Sequence, residues 1–260
     1  MKKLIDFKKY SSIKIGPTIE VEIINKIDKK YEKYFLIGGA NNILISNNPP
    51  PLAKLSKKFD YIKIVDDELI IGAATPTGKV VSFCKKYNIK GFEFLSKLPG
   101  SIGGAVKMNA GVKKHEIKDV LKWIRTYKGK INKEDINIGY RKTDIKNIVY
   151  EAGFKLEYGF DEKLLKELLI LRKNQPNEPS AGSVFKNPKG DFAGRLIEAV
   201  GLKGKRIGDM EFSKIHANFL VNLGNGTFKD AIKLINEAKE KVFEKFGIKL
   251  EEEIIILDNS

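Results

Sequence analysis

The chain has 260 residues, 48 of them Lys or Arg against 33 Asp or Glu, for a formal charge of +15 with histidine neutral. That length buries a substantial core and points to two or three lobes, while Cys84, the only cysteine, excludes an internal disulfide and argues against a cysteine-based zinc site. No apolar run reaches membrane-spanning length and the basic start MKKLIDFKKYSS lacks the apolar core of a leader, so a soluble cytoplasmic protein with no membrane partner is expected.

In chain order, residues 21–24 alternate weakly and read as a strand. Residues 34–45 hold an apolar run, the turn at Gly38-Gly39 and a second run, Ile43-Leu44-Ile45, for which strand, turn, strand is the simplest assignment. NNPPP at 47–51 is a breaker and a loop. Residues 61–65 and 68–73 flank Asp66-Asp67 and read as a hairpin. Pro76 then opens a helix to Tyr87, since proline is tolerated in the first helical turn. Cys84 sits among Val80, Val81 and Phe83 and reads as a packing residue rather than a nucleophile. Strands follow at 120–127 and 148–156, with GYRKTDIK on the connection between them. Leu164, Leu165, Leu168, Leu169 and Leu171 recur at helical spacing within 161–175, an amphipathic helix that stops before Pro176. Ala193, Leu196, Ile197 and Val200 mark a short helix ended by Gly201. Thr227 with Asp230 resembles a capping box opening a long helix to Phe246, its buried stripe made by Ile232, Ile235, Val242 and Phe246. Residues 254–257 read as a last, buried strand.

The densest glycine stretch, GFEFLSKLPGSIGGAVKMNAG at 91–111, sets Gly100, Ser101, Gly103 and Gly104 behind Pro99 and closes on Asn109-Ala110-Gly111. Glycines that close together let backbone N–H groups approach a ligand, and several such groups form an anion nest of the kind a pyrophosphate requires. Glycine clusters alone more often mean only turns. Here a second glycine turn, Gly38-Gly39 with Ala40, Asn41 and Asn42 behind it, offers a partner, so that two turns would clasp one extended phosphate-bearing cofactor.

KLPGSIGGAVKMNAG and IGGANNILIS resemble the FAD-binding turns of bacterial UDP-N-acetylenolpyruvoylglucosamine reductases. GYRKTDIK, SAGSVFKNP and LEEEIIIL resemble, in the same order, that family's catalytic segments. The glycine turns are shared with the vanillyl-alcohol-oxidase type of flavin fold, whereas SAGSVFKNP is specific to the reductase. The resemblance implies an α+β fold: an FAD-binding region over 1–160, in two sub-lobes split near 50–60, and a C-terminal α/β substrate-binding domain over 161–260. It implies non-covalent FAD as cofactor and NADPH as hydride donor. The step implied is reduction of a UDP-sugar enol ether in peptidoglycan precursor synthesis, hence in cell-wall biogenesis, cell shape and division. The short connection from Arg141 to Ser183 resembles the subtype with the smaller substrate lobe.

The same resemblance assigns roles. Ser183 matches the proton donor, Arg141 the arginine that meets the substrate carboxylate, and Glu253 the glutamate that closes the set. A planar guanidinium suits a carboxylate bidentately, as lysine cannot. Glu253 stands in the acidic run Glu251-Glu252-Glu253; on a strand Glu251 would share its face, which makes Glu251 the competing assignment. Tyr140, Lys186, Asn187 and His216 are expected to contact or line the substrate site. The cofactor turns map onto Gly38, Gly39, Ala40, Asn41, Asn42, Pro99, Gly100, Ser101, Gly103, Gly104, Asn109, Ala110 and Gly111. Ala40 and Asn41 stand where the family has glycine and serine, Lys142 and Thr143 where it has aspartate and serine, and Glu252 where it has proline.

Two rival readings compete: an oxidase of the same flavin fold, which the ordered Arg141, Ser183 and Glu253 motifs disfavour, and a nucleotide or nucleic-acid binder suggested by the charge alone. The lysines are scattered and mixed with acids, and the aromatic residues show no base-stacking spacing, so no nucleic-acid partner is expected. The positive field would instead favour a substrate and a dinucleotide that both carry several negative charges. His115 and His216 are far apart and lack clustered carboxylates, so no metal site is expected. A monomer is expected.

Overall fold

β-branched runs at Ile62–Val65 and Glu68–Gly72 pair antiparallel, from Val65 opposite Glu68 to Ile62 opposite Ile71, and Asp66 turns the hairpin at φ 51°. The computed structural model describes residues 1–259. This hairpin forms one edge of a five-stranded antiparallel sheet continued by Glu151–Lys155, Leu121–Thr126 and Gly129–Asn132. Leu69, Ile71, Ile124, Ala152 and Phe154 are buried in one core with Val80 and Cys84 of the helix Thr77–Lys86. Each large apolar side chain so buried contributes about 1.5–3 kcal/mol. A parallel set, in which Leu52–Leu55 lies between Thr18–Ile24 and Phe35–Ile37, adds Ile24, Ala53 and Leu55 to that core.

A second core gathers around a four-stranded antiparallel sheet ordered Ser180–Ser183, Phe219–Asn222, Met210–Phe212, Arg206–Ile207. The helix Phe228–Phe246 lays Ala231, Leu234, Ile235, Ala238 and Val242 into it. Ile235 and Val242 are thus buried as the spacing predicts, while Ile232 and Phe246 are only partly so. Thr227 accepts a hydrogen bond from the Asp230 N–H at 3.1 Å, a cap worth about 1 kcal/mol, and Gly247 at φ 67° ends the helix. Among the described residues no helix is long and apolar enough to cross a membrane.

These cores belong to two units, the first formed by residues 1–3, 21–39 and 51–173, the second by 4–20, 40–50 and 174–260. A linear boundary at 160 therefore does not describe them. The helix Glu162–Leu171, capped by Asp161 through the Leu164 N–H at 2.8 Å, buries Leu165 and Leu168, and Leu168 joins the first core. The expected strand, turn, strand at 34–45 is also divided. Phe35–Ile37 pairs with Leu52–Leu55 in the first unit, whereas Ile43–Ile45 pairs in parallel with Ile255–Leu257 in the second. The glycine turn passes the chain from one unit to the other instead of closing a hairpin.

Candidate functional site

In the first unit the two glycine turns lie against each other. A Cβ on Gly38 would sit 2.6 Å from the Ser101 Oγ, so the turn at 37–39 approaches the turn at 99–101 as closely as it does because residue 38 has no side chain. Gly100, at φ 135°, accepts a hydrogen bond from the Thr77 N–H at 3.1 Å. Beyond it the stretch enters a short helix, Ile102–Lys107, where composition alone suggests only turns. Ile102 and Gly103 donate their N–H groups to the carbonyls of Thr75 and Ala73, each at 2.9 Å. Those two donors hold the helix rather than a ligand, and a Cβ on Gly103 would meet Ala73 at 3.0 Å. Gly104 is exposed and has ordinary room for a Cβ.

Asn109 closes the stretch as a buried hub at φ 45°. Its Nδ2 donates to Glu116 Oε2 at 3.0 Å and to the Gly139 carbonyl at 3.1 Å, and its Oδ1 accepts from the Lys118 N–H at 3.0 Å. The Asn109 side chain thus holds protein to protein. Gly111 is required by contact: its Cβ would fall 2.3 Å from the His115 carbonyl oxygen.

Arg141 is docked onto that segment. GYRKTDIK forms a small hairpin, Ile138–Gly139 against Lys142–Thr143, with Tyr140 and Arg141 at its tip and Arg141 at φ 54°. The guanidinium donates from Nη2 to the Gly111 carbonyl at 2.7 Å, makes a longer contact to the Asn109 carbonyl at 3.5 Å, and lies 3.7 Å from Glu116 Oε1. It also sits 5.1 Å from the centroid of the half-exposed Tyr140 ring. Non-glycine residues in the left-handed region recur here, at Lys97, Asn109, Lys113 and Arg141, and such strained positions cluster where the surrounding structure over-determines a functional geometry.

One residue of this region escapes sequence reasoning. Arg172, at the end of the helix Glu162–Leu171, donates from Nη1 to the Lys97 carbonyl at 3.2 Å. Among the described residues its Nε is the buried side-chain nitrogen or oxygen without a hydrogen-bond partner. Burial, and secondarily the charge of Arg141, pull its pKa down. Two guanidinium groups within electrostatic reach of each other, one with an orphaned buried donor, suit an anionic group that the protein does not itself supply. Together with the touching glycine turns, this set fits a phosphate- or flavin-bearing cofactor. Nothing in the sequence distinguishes Arg172 from the other cations of a chain with 48.

The second unit holds Ser183 and Glu253. Ser180–Ser183 pairs with Phe219–Asn222 through Ser180 opposite Val221 and Ser183 opposite Phe219, with a bulge between them. Gly182 supplies φ 79° there, where a Cβ would meet nothing; the bulge needs glycine for its dihedral, and it re-aims the residue after it. The next residue ties the two motifs together, since the Val184 carbonyl accepts from the Glu253 N–H at 2.8 Å and from the Ile254 N–H at 3.2 Å. Asn42, read from sequence as a cofactor residue, donates from Nδ2 to the Glu253 carbonyl at 2.9 Å and accepts from the Ile255 N–H at 3.0 Å. Ala40 adopts φ 54°, a left-handed conformation that glycine reaches without strain. Its carbonyl accepts from the Ser12 N–H at 3.1 Å. Asn41 in this turn is half-buried.

The acidic run separates by partner. Glu251 is exposed and meets Lys186 Nζ at 3.3 Å, and Glu252 meets Lys239 at 2.7 Å. The regular strand begins only at Ile255, so the face-sharing argument for Glu251 does not apply to this segment. Asn187 accepts on Oδ1 from the Ala193 N–H at 3.0 Å, at the start of the helix Ala193–Ala199. His216 accepts the Asn218 N–H on Nδ1 at 3.2 Å, which leaves the ring proton of the neutral form on Nε2. Its pKa is lowered by burial. Cys84 is fully buried and its thiol is pushed up to about 12 by burial, as befits a packing residue.

Residues 175–257 match the family described as UDP-N-acetylenolpyruvoylglucosamine reductase, C-terminal domain. The chain is 48% identical over 258 residues to the UDP-N-acetylenolpyruvoylglucosamine reductase of Helicobacter hepaticus, covering 98% of each. It is 49% identical over 259 residues to that of Campylobacter jejuni, covering 98% of this chain and 100% of the relative. The crystal structure of the enzyme so named from Thermus caldophilus matches it with a TM-score of 0.85 at 31% identity, over 99% of both chains.

Proposed function

Because the chain belongs to the UDP-N-acetylenolpyruvoylglucosamine reductase family, we propose that it reduces UDP-N-acetylenolpyruvoylglucosamine to UDP-N-acetylmuramate with NADPH, as a cytoplasmic FAD enzyme of peptidoglycan precursor synthesis. The observation that carries this reading is the shared anchor of two motifs far apart in sequence, Ser183 and Glu253, on the backbone of Val184.

Gly38, Gly39, Pro99, Gly100, Ser101, Gly104 and Arg172 would hold the cofactor. Bound flavin would supply the hydride, which no side chain can donate. The protein's own residues carry the rest. Hydride added to the far carbon of the enol ether pushes electron density onto the substrate carboxylate. Arg141, fixed by the Gly111 carbonyl, meets that carboxylate and stabilises the enolate-like charge. Ser183 gives its hydroxyl proton to the near carbon and recovers one from solvent; so basic a carbon makes a serine hydroxyl a sufficient acid. Glu253, which the motif order assigns to the same step, completes this set of groups. Hydride and proton together saturate the double bond, and NADPH leaves oxidised by two electrons.

The test is twofold. Acid precipitation of the purified yellow protein should release its colour to the supernatant, and NADPH oxidation should depend on the enolpyruvyl sugar. A colourless protein, or colour retained in the pellet, contradicts the cofactor assignment; NADPH oxidation indifferent to the sugar contradicts the substrate.

A further inference from the structure

Asn218, in the segment SKIHANFLVN, is 3% exposed and addresses one residue from both sides. Its Oδ1 accepts from the Phe185 N–H at 3.0 Å, and its Nδ2 donates to the Phe185 carbonyl at 2.8 Å. Its own carbonyl accepts from the Val184 N–H at 2.8 Å. Three hydrogen bonds from one residue therefore fasten the two positions that follow Ser183. The strand ladder alone does not do this: it ends at Ser183 opposite Phe219, after a bulge, so Val184 and Phe185 lie beyond it.

The chemistry explains the residue type. A primary amide offers a donor and an acceptor side by side and closes a ring with a single backbone residue; aspartate loses the donor, and serine cannot span both groups. The Val184 whose N–H is held in this way accepts on its carbonyl from the Glu253 N–H. The clamp thus reaches Ser183 through adjoining backbone and Glu253 through one hydrogen bond.

We propose that Asn218 is a positioning residue, which by closing both hydrogen bonds on Phe185 holds the Ser183 hydroxyl and the Glu253 carboxyl in register for protonation of the substrate. The proposal rests on the reductase reading above. Its effect is through geometry, and displacements of about 1 Å at a reacting group cost on the order of a hundredfold.

Asn218→Asp keeps the volume and the acceptor toward Phe185 N–H but sets a carboxylate oxygen against the Phe185 carbonyl. With NADPH and UDP-N-acetylenolpyruvoylglucosamine, kcat should fall about a hundredfold with KM unchanged. The solvent deuterium isotope effect should rise as proton delivery becomes limiting. In a Ser183→Ala background the same substitution should cost almost nothing further, as expected of residues acting as one unit. Should Asn218→Asp not accumulate as folded protein, Asn218→Gln, which keeps both groups one methylene further out, should show the same isotope effect and the same non-additivity. Losses that add to those of Ser183→Ala, or an unchanged isotope effect, would overturn the proposal. A wild-type protein inert toward the enolpyruvyl sugar would overturn the reductase reading, and the proposal with it.

Discussion

Replacing Arg141 by lysine keeps the charge and the hairpin, since both residues bear the same penalty at φ 54°. It removes the planar fork. Arg141 donates to the Gly111 carbonyl at 2.7 Å while lying 3.7 Å from Glu116 and 5.1 Å from the Tyr140 ring centroid. A lysine ammonium has one nitrogen and cannot stay on Gly111 while also meeting a carboxylate bidentately. The loss is about one hydrogen bond to a charged group, some 1.5–3 kcal/mol in a position only 17% exposed. At about 1.4 kcal/mol per decade, kcat/KM for the enolpyruvyl sugar should fall roughly ten- to two-hundredfold. Steady-state NADPH oxidation at saturating NADPH measures it, with thermal unfolding as control. Unchanged kcat/KM in a folded Arg141→Lys protein would refute the assignment of Arg141 to the carboxylate.

Gly111→Ala should destabilise by about 1–3 kcal/mol in urea titration, because its Cβ would overlap the His115 carbonyl at 2.3 Å, and it should lower kcat/KM by disturbing the Arg141 anchor. An alanine variant as stable as the parent would show that this hairpin yields more freely than its contacts imply. His216, with its pKa lowered by burial, takes up its proton more readily unfolded than folded. Its contribution to stability is therefore full above the unfolded value of about 6.5 and is lost as pH falls from there through the lower folded-state value. Urea midpoints compared on either side of that pH should show the loss in wild type and less of it in His216→Gln; equal slopes would contradict it.

The local chemistry of this chain was far more legible than its connectivity. Thr227 with Asp230 announces the long helix because capping depends on a few adjacent residues. The turn at Asp66-Asp67 follows for the same reason. The interleaving of the units could not be read, because it rests on pairing between residues about two hundred positions apart, Ile43 with Ile255 and Asn42 with Glu253. Arg141, Ser183 and Glu253 are identifiable only through motif resemblance, since spacing alone leaves Arg141 one cation among many and cannot choose between Glu251 and Glu253. In the structure Arg141 lies on the Gly111 carbonyl, Glu251 pairs with Lys186, and the Glu253 N–H meets the Val184 carbonyl. Asn109 and Asn42 show the converse. Both read as cofactor residues, and the hydrogen bonds described above join protein to protein. Arg172 and Asn218 gave no signal, because an orphaned buried nitrogen and a two-sided amide clamp exist only once distant segments meet.

The most direct measurement follows the two half-reactions separately by stopped-flow in wild type and Ser183→Ala. The substitution leaves the backbone anchors at Val184 and Phe185 in place, and removal of one half-buried hydroxyl should leave thermal stability nearly unchanged. Reduction by NADPH needs no proton from Ser183 and should proceed at the wild-type rate. Reoxidation by UDP-N-acetylenolpyruvoylglucosamine should slow by about a hundred- to ten-thousandfold, the range that general acid catalysis supplies. If Ser183→Ala loses its cofactor, slows both halves alike, or reoxidises at the wild-type rate, Ser183 is not the proton donor and the central claim is wrong.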